Sequence, residues 1–190
     1  MPVEIATLNG PQAEAVQCTE GPLLVLAGAG SGKTRVLTYR IAHLVEDLDV
    51  APWEILAITF TNKAAAEMRE RLQGIIGPRC RGMWVSTFHS MCVRMLRADA
   101  ERLGFSKSFT IYDTDDQKRL YKEIMAELDT DPKRFPVNAH MGRISQAKNE
   151  LIVLGDFEKQ AIDAVGKVAA RIYTRLQERL RAANAFDFDD

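Results

Sequence analysis

The segment LLVLAGAGSGKT, residues 23–34, decides the fold that we expect for this chain. Large apolar residues run into a loop of glycine, alanine and serine, which ends on Lys33 and Thr34. The loop follows the phosphate-loop pattern G-x-x-x-x-G-K-[ST] except at its first position, where Ala27 replaces glycine. Small residues let backbone N–H groups surround a phosphate, and the helix that follows presents its N-terminus to the anion. The segment therefore predicts a nucleoside triphosphate site.

Particular roles follow for the residues of this loop. Lys33 is expected to reach the β- and γ-phosphates, and the Thr34 hydroxyl is expected to bind Mg²⁺. Both are candidate catalytic residues, and Thr34 is the candidate metal ligand. An ordinary glycine-rich turn between a strand and a helix is the alternative. The candidate phosphate-binding residues are Ala27, Gly28, Ala29, Gly30, Ser31, Gly32, Lys33 and Thr34.

Short apolar runs alternate with helical patterns in the first part of the chain. Nearly continuous apolar runs are typical of strands that a parallel sheet buries on both faces. Strand, helix and strand in alternation indicate an α/β doubly wound domain. The predicted strands are 23–27, 55–60 and 83–88, and the predicted helices are 33–46, 62–76 and 89–103.

The pattern changes to helix alone after about residue 113. Thr114 and Gln117 have the spacing of a capping box, which predicts the start of a helix. Apolar residues at Met141, Ile144 and Leu151 suggest another helix, and a long helix is expected over 158–184. No strand is evident between 114 and 185, so we expect an all-helical subdomain inserted into the α/β unit.

Composition limits the classes of partner. The net charge of −1 argues against a chain that is basic throughout, so any contact with nucleic acid must be local. The three cysteines form no C-x-x-C pair, which favours neither a disulfide framework nor a zinc site. No apolar run approaches the roughly 18 residues of a membrane span. We expect a soluble cytoplasmic protein without a membrane partner, and we interpret His43 and His140 as structural.

The chain resembles the N-terminal part of a superfamily 1 DNA helicase of the UvrD/PcrA/Rep family over essentially all of its 190 residues. This resemblance implies a P-loop RecA-like parallel sheet with an inserted helical subdomain. Residues 1–112 would be the first part of the RecA-like ATP-binding domain, 113–185 the insertion, and 186–190 the return to that domain. The matching segments are LNGPQAEAV (8–16), AGAGSGKTRVLTYRI (27–41), LAITFTNKAAAEMRERL (56–72), VSTFHSMCVRMLR (85–97), KNEL (148–151) and FDFDD (186–190).

Two further residues join the nucleotide site through this resemblance. Gln12 lies in a segment similar to the family's adenine-recognising motif, and its amide is able to bind the N6/N7 edge of adenine. Arg35 follows the loop, where its guanidinium can stack on the base or lie near the phosphates. A solvated glutamine and an exposed arginine are the alternatives.

A track for single-stranded DNA is expected where predicted strands end. Phe60 can stack a base while Thr61, Asn62 and Lys63 meet phosphate, since ligands bind at this edge of open parallel sheets. The alternative places Phe60 in the core and uses Thr61 or Asn62 only as a helix cap. For His89, the resemblance implies DNA contact, and a structural histidine is the alternative.

Basic residues on the long predicted helix have two interpretations. They can meet duplex DNA ahead of the single strand, or they can form an ordinary solvated face, which we favour. The residues are Lys167, Arg171, Arg175, Arg179 and Arg181.

The resemblance implies the front part of an ATP-driven 3′-to-5′ DNA helicase and translocase. It would use ATP and Mg²⁺, act on single-stranded DNA and single/double-strand junctions in repair or replication, and associate with the nucleoid. Alternatives are a P-loop kinase of small substrates and a regulatory fragment that binds nucleotide without hydrolysis. ATPases of this kind need an acidic residue at the end of an apolar strand and an arginine finger. We find no four apolar residues followed by Asp-Glu, since FDFDD (186–190) has acids but only two apolar residues, interrupted, and we find no arginine finger. We therefore expect a piece of a longer enzyme that is inactive alone.

Overall fold

Helices and short parallel strands make up the computed structural model, which describes residues 3–190. The chain divides into two units, one up to Arg94 and the other from Met95 to Asp190. The helices are α1 Gly10–Gln17, α2 Lys33–Glu46, α3 Asn62–Ile76, α4 Phe88–Asp99, α5 Thr114–Glu127, α6 Val137–Asn149, α7 Leu154–Gln160 and α8 Ala164–Ala182. The strands are β1 Leu56–Thr59, β2 Trp84–Thr87, β3 Thr110–Tyr112 and β4 Ala185–Asp187.

The first unit packs two helices against a parallel strand pair. β1 and β2 run parallel, with Leu56 opposite Trp84 and Thr59 opposite Thr87. The buried faces of α2 and α3 meet the strands in one apolar core, because their apolar residues recur at helical spacing. Its buried members are Ile41, Ala42, Val45, Ile55, Ala57, Met68, Leu72, Ile76 and Val85.

The strand expected over 23–27 does not form. Residues 21–30 are exposed and adopt no regular structure, with Leu24 80% and Leu26 85% exposed. A strand needs a neighbour to share its backbone hydrogen bonds. In residues 3–190, β1 pairs with β2 and β3 with β4, and neither pair extends to this segment. Its apolar pattern is typical of a strand that lies buried between two neighbouring strands. Within residues 3–190, no strand lies on either side of it.

The second unit is a helical cluster with a small strand pair. β3 and β4 run parallel, with Thr110 opposite Ala185 and Tyr112 opposite Asp187. The chain leaves β3, forms α5 to α8 and returns as β4 beside the strand that it left. Residues 114–184 contain no strand, as the sequence predicts. Large buried side chains in this core include Leu120, Ile124, Ile144, Ile172 and Leu176.

Four helix boundaries differ from the prediction. α6 ends at Asn149, so Leu151 lies outside the helix and is 86% exposed. Asp113, not Thr114, caps α5, because its carboxylate accepts from the N–H groups of Asp115 and Asp116, both at 2.9 Å. The helix expected over 158–184 is interrupted, since Asp163 starts α8 by accepting from the N–H of Gly166. The predicted helix 89–103 is α4 followed by a 3₁₀ turn at Ala100–Leu103.

None of the helices within residues 3–190 is both long enough and apolar enough to span a membrane.

A buried ion cluster closes one end of the second unit. The Lys148 ammonium lies 2.7 Å from Asp187 Oδ2 and 2.6 Å from Asp190 Oδ1, and Lys148 and Asp187 are both buried. Burial alone lowers the pKa of Lys148, but the two carboxylates outweigh burial and raise it above its usual value. The cluster thereby joins the end of α6 to β4 and to the residues that follow β4.

We predict that Lys148→Met strongly destabilises the second unit. Two carboxylates would be left near each other without their cation, which costs about 3–5 kcal/mol. Hydrogen exchange of α6 and α8 measures the effect, while tryptophan fluorescence monitors the first unit, where Trp53 and Trp84 both lie. Lys159→Met, which removes an exposed pair with Asp156, should cost less than about 1 kcal/mol. Equal effects of the two variants would contradict the prediction.

The His140 ring is buried and, among residues 3–190, its nitrogens have no hydrogen-bond partner. The residue is 1% exposed. Burial, followed by the charge of Arg143, lowers the pKa of His140 below its ordinary value. In the folded second unit, His140 therefore binds a proton only at a lower pH than in the unfolded chain, where its pKa is about 6.5.

We predict that this group makes stability fall with acid. The contribution is fully present above the unfolded pKa of about 6.5 and is lost as the pH falls below it, at up to about 1.4 kcal/mol per pH unit. His140→Leu should flatten the dependence of the unfolding free energy on pH between 7.5 and 5, measured by denaturation followed by circular dichroism. His43→Leu keeps His140 and should keep this part of the slope. An unchanged slope in His140→Leu would refute the assignment.

Candidate functional site

The loop at residues 27–34 turns through two left-handed glycines into α2. Gly30 has φ 77° and Gly32 has φ 85°, conformations that favour glycine because it lacks a Cβ. Inside the loop, the Ser31 hydroxyl donates to the Gly28 carbonyl at 2.7 Å. α2 then begins at Lys33, so its first N–H groups lie at the end of the loop. The backbone thus has the turn and helix start that an anion site requires.

Lys33 folds back over the loop that precedes it. Its Nζ donates to the carbonyls of Ala27 at 2.8 Å and Gly28 at 2.6 Å. The only cation within residues 27–34 therefore lies against the backbone where the phosphates are expected. Thr34 is exposed in the first turn of α2 and carries a hydroxyl oxygen, a donor type that Mg²⁺ accepts. Within residues 3–190, no cluster of three or more His, Cys, Asp or Glu side chains is placed to hold a metal ion.

Gln12 lies beside this loop and is already hydrogen-bonded on both sides of its amide. Its Oε1 accepts from the Asn9 N–H at 3.2 Å, and Asn9 Oδ1 accepts from the Gln12 N–H at 3.0 Å, which forms the capping box of α1. Its Nε2 donates to the Ser31 carbonyl at 2.9 Å. The structure therefore brings Gln12 to the phosphate loop itself.

Arg35 and Arg40 fasten α2 to the N-terminal segment. The Arg35 guanidinium donates to the carbonyl and the hydroxyl of Thr7, at 3.2 and 3.0 Å, and stacks 5.3 Å from the Tyr39 ring. Hydrogen bonds, the larger with Thr7 and the next with Arg35, lower the pKa of Tyr39 below its ordinary value. Arg40, which sequence reasoning missed, donates to the carbonyls of Ala15 and Cys18 at the end of α1. No sequence motif signals a contact made across that distance in the chain.

Aromatic side chains meet at the ends of β1 and β2. Because the strands are parallel, Phe60 after β1 and Phe88 after β2 lie at one edge, with ring centroids 5.8 Å apart and planes at 49°. Phe60 is 91% exposed, so it does not belong to the core. Phe88 is half exposed and is a residue that sequence reasoning missed as a neighbour of Phe60. Both rings are therefore accessible to solvent.

Polar groups surround this aromatic pair. Thr61 caps α3, since its hydroxyl accepts from the Ala64 N–H at 3.1 Å, so the cap in the alternative interpretation is present. Asn62 and Lys63 are exposed at the start of α3, and His89 is exposed in the first turn of α4. The structure thus places Asn62 and Lys63 in the first turn of α3, Thr61 at its cap and Phe60 just before the cap, and it places His89 in the first turn of α4.

The basic residues of α8 are largely engaged within the second unit. Arg175 contacts Glu127 and Glu178, Arg179 contacts Glu123 and Glu127, and Arg181 lies 5.4 Å from the Phe105 ring. These contacts agree with an ion-paired, solvated face. Lys167 and Arg171 line an open groove of about 550 Å³ on this helix.

A phosphate-loop sequence leads into α2, and α2 packs against the parallel strands β1 and β2, so the chain is a mixed α/β protein. The chain belongs to the UvrD/REP helicase N-terminal domain family, which matches residues 8–190. It is similar to the "ATP-dependent DNA helicase PcrA" of three bacteria. With that of Leuconostoc citreum it is 52% identical, over 100% of this chain and 26% of the relative.

Two further relatives agree with this assignment. Identity is 51% with the helicase of Staphylococcus aureus strain Mu50, over 96% of this chain and 25% of the relative. Identity is 52% with that of Bacillus subtilis strain 168, over 98% of this chain and 25% of the relative. The chain thus spans about a quarter of the length of the curated relatives that it matches.

We predict that Phe60→Ala weakens binding of single-stranded DNA by about tenfold or more, because stacking of a base on an aromatic ring is worth roughly 1–3 kcal/mol. Fluorescence anisotropy with a labelled oligothymidine measures the affinity. Trp53→Ala removes another exposed aromatic ring from the same unit, before β1 rather than after it, and should leave the affinity unchanged. Equal affinities of Phe60→Ala and the unsubstituted protein for single-stranded DNA would show that Phe60 does not stack on a base.

Proposed function

We propose that this chain is the N-terminal part of an ATP-dependent DNA helicase that moves 3′ to 5′ on single-stranded DNA. Family membership and identity above 50% with PcrA helicases support the helicase class. The observation that carries the proposal is the phosphate loop, in which the Lys33 side chain folds back onto the carbonyls of Ala27 and Gly28. The family gives no support to a small-substrate kinase or a regulatory nucleotide-binding fragment.

The proposed nucleotide site is built on residues 27–34. The Lys33 ammonium would exchange its carbonyl contacts for the β- and γ-phosphates, which attract it more strongly because they are charged. The N–H groups of Gly28, Ala29, Gly30, Ser31 and Gly32 and the start of α2 would hold the phosphate oxygens. The Thr34 hydroxyl would be the protein ligand of Mg²⁺, which neutralises charge on the phosphates when bound.

The base would lie toward the N-terminal segment. Gln12 keeps one N–H and one lone pair beyond its bonds to Asn9 and Ser31, and these can address adenine. Arg35 has an exposed guanidinium held by Thr7, which is a fixed plane for stacking. Both residues lie within reach of the loop because α1 and α2 are fastened together.

The proposed DNA track follows the edge where β1 and β2 end. Exposed Phe60 would stack a base, while Thr61, Asn62, Lys63 and the start of α3 would meet phosphate oxygens. His89 would contact the strand from the start of α4. Single/double-strand junctions are the proposed natural substrate, and the helicase would alternate its grip on DNA as ATP binds and is hydrolysed.

We also propose that the first unit is part of a RecA-like sheet. The exposed apolar segment 23–27 supports this, because such a segment becomes a strand when neighbours flank it. The proposed domain division is 1–112 for the ATP-binding domain, 113–185 for an insertion and 186–190 for the return. The excursion of α5 to α8 between the paired strands β3 and β4 supports the insertion.

Lys33→Ala tests the proposal. The change removes the Lys33 ammonium, which we propose binds phosphate, and it leaves the core intact because this side chain is exposed. ATP binding and turnover by the full-length protein that contains this chain should therefore be abolished, while the circular dichroism spectrum stays unchanged. Lys118→Ala, an exposed lysine on α5, is the matched control and should bind and hydrolyse ATP normally. Normal turnover in Lys33→Ala would exclude the phosphate loop as the ATP site.

A further inference from the structure

We propose that Gln12 positions the phosphate loop, so that the affinity for phosphate depends on Gln12 even when no base is present. The inference rests on the proposed function, because it takes the loop as a phosphate site. It goes beyond recognition of adenine, which involves only the base. In this arrangement Gln12 is a positioning residue that supports the loop from the side of α1.

The contact between Gln12 and the loop is direct. Gln12 Nε2 donates to the Ser31 carbonyl at 2.9 Å, and its Oε1 is held by the Asn9 N–H. The amide is therefore fixed at both ends, one on the cap of α1 and one on the loop. Turning that carbonyl would rotate the peptide unit that carries the N–H of Gly32, a group expected to face phosphate.

The packing at Gly32 shows how closely Gln12 approaches the loop. A Cβ placed on Gly32 would lie 2.9 Å from Gln12 Nε2, closer than real Cβ contacts. Gly32 also has φ 85°, and it is the residue that directs the chain into α2. The amide of Gln12 thus lies against the residue whose left-handed turn places Lys33.

The helix that carries Gln12, α1, is itself fixed by contacts with α2. Buried Val16 of α1 packs with buried Val36 of α2. Arg40 holds the end of α1, and Arg35 holds Thr7 before it. The loop has fewer supports, because residues 21–30 are exposed and form no strand. Gln12 therefore connects a fixed helix to an exposed loop.

Inorganic tripolyphosphate separates the two roles of Gln12, since it carries the phosphates of ATP without a base. We would titrate the whole protein with tripolyphosphate and with ATP by calorimetry, comparing the unsubstituted protein with Gln12→Met. Methionine keeps the length of the side chain and removes its hydrogen bonds. Gln17→Met, at the exposed end of α1, is the matched control. Hydrogen exchange of residues 28–34 reports the order of the loop in each variant.

Gln12→Met should bind tripolyphosphate about three- to tenfold more weakly, as expected for the loss of its one hydrogen bond to the loop, from Gln12 Nε2 to the Ser31 carbonyl. Exchange of residues 28–34 should become faster, and Gln17→Met should match the unsubstituted protein. Weaker ATP binding with unchanged tripolyphosphate binding would overturn the inference, since Gln12 would then read the base alone. The proposed function would survive that result. Failure of the unsubstituted protein to bind tripolyphosphate would instead contradict the phosphate loop, and the inference with it.

Discussion

The left-handed backbone at Gly32 is the constraint on which the first unit depends. The turn at Gly32 ends the loop and starts α2 at Lys33. The first N–H groups of α2 and the Lys33 side chain therefore both lie at the end of the loop. α2 packs on two sides. Ile41, Ala42 and Val45 join the core formed with α3, β1 and β2, and Val36 packs with α1. A loop held by a helix with two packed faces can keep its shape although it is exposed. The proposed phosphate site therefore depends on the packing of α2 as much as on the loop residues.

The same core also fixes the edge proposed for DNA. Only Phe60 and Thr61 separate β1 from α3, and α4 begins directly after β2, so both helix N-termini lie at the ends of parallel strands. Phe60 is exposed there because the strand has ended and Thr61 is already the cap of the next helix. One sheet edge thus collects an aromatic pair, exposed polar side chains and two helix starts. These features suit a ligand that has both bases and phosphates.

Helices were easier to predict from the sequence than strands, for physical reasons. α2 and α3 match their predicted bounds because local apolar spacing and the Gly77-Pro78 stop determine them. The capping box at Thr114 was wrong by one residue, since Asp113 competes for the same N–H groups. The segment 23–27 was wrong as a strand because pairing depends on neighbours, which local pattern does not reveal. β3 and β4 are three residues each, too short to carry a periodic signal.

The candidate site shows the same division. The phosphate loop and Phe60 stand out from local sequence, whereas the bonds of Gln12 to Ser31 and of Arg40 to Ala15 join residues 19 and 25 positions apart. The most direct test of the proposed function is to measure the rate of ATP hydrolysis by the full-length protein that contains this chain while single-stranded DNA is added. We expect the rate to rise and saturate with DNA. A rate that is independent of DNA, with phosphate transferred to a small acceptor instead of water, would contradict the account.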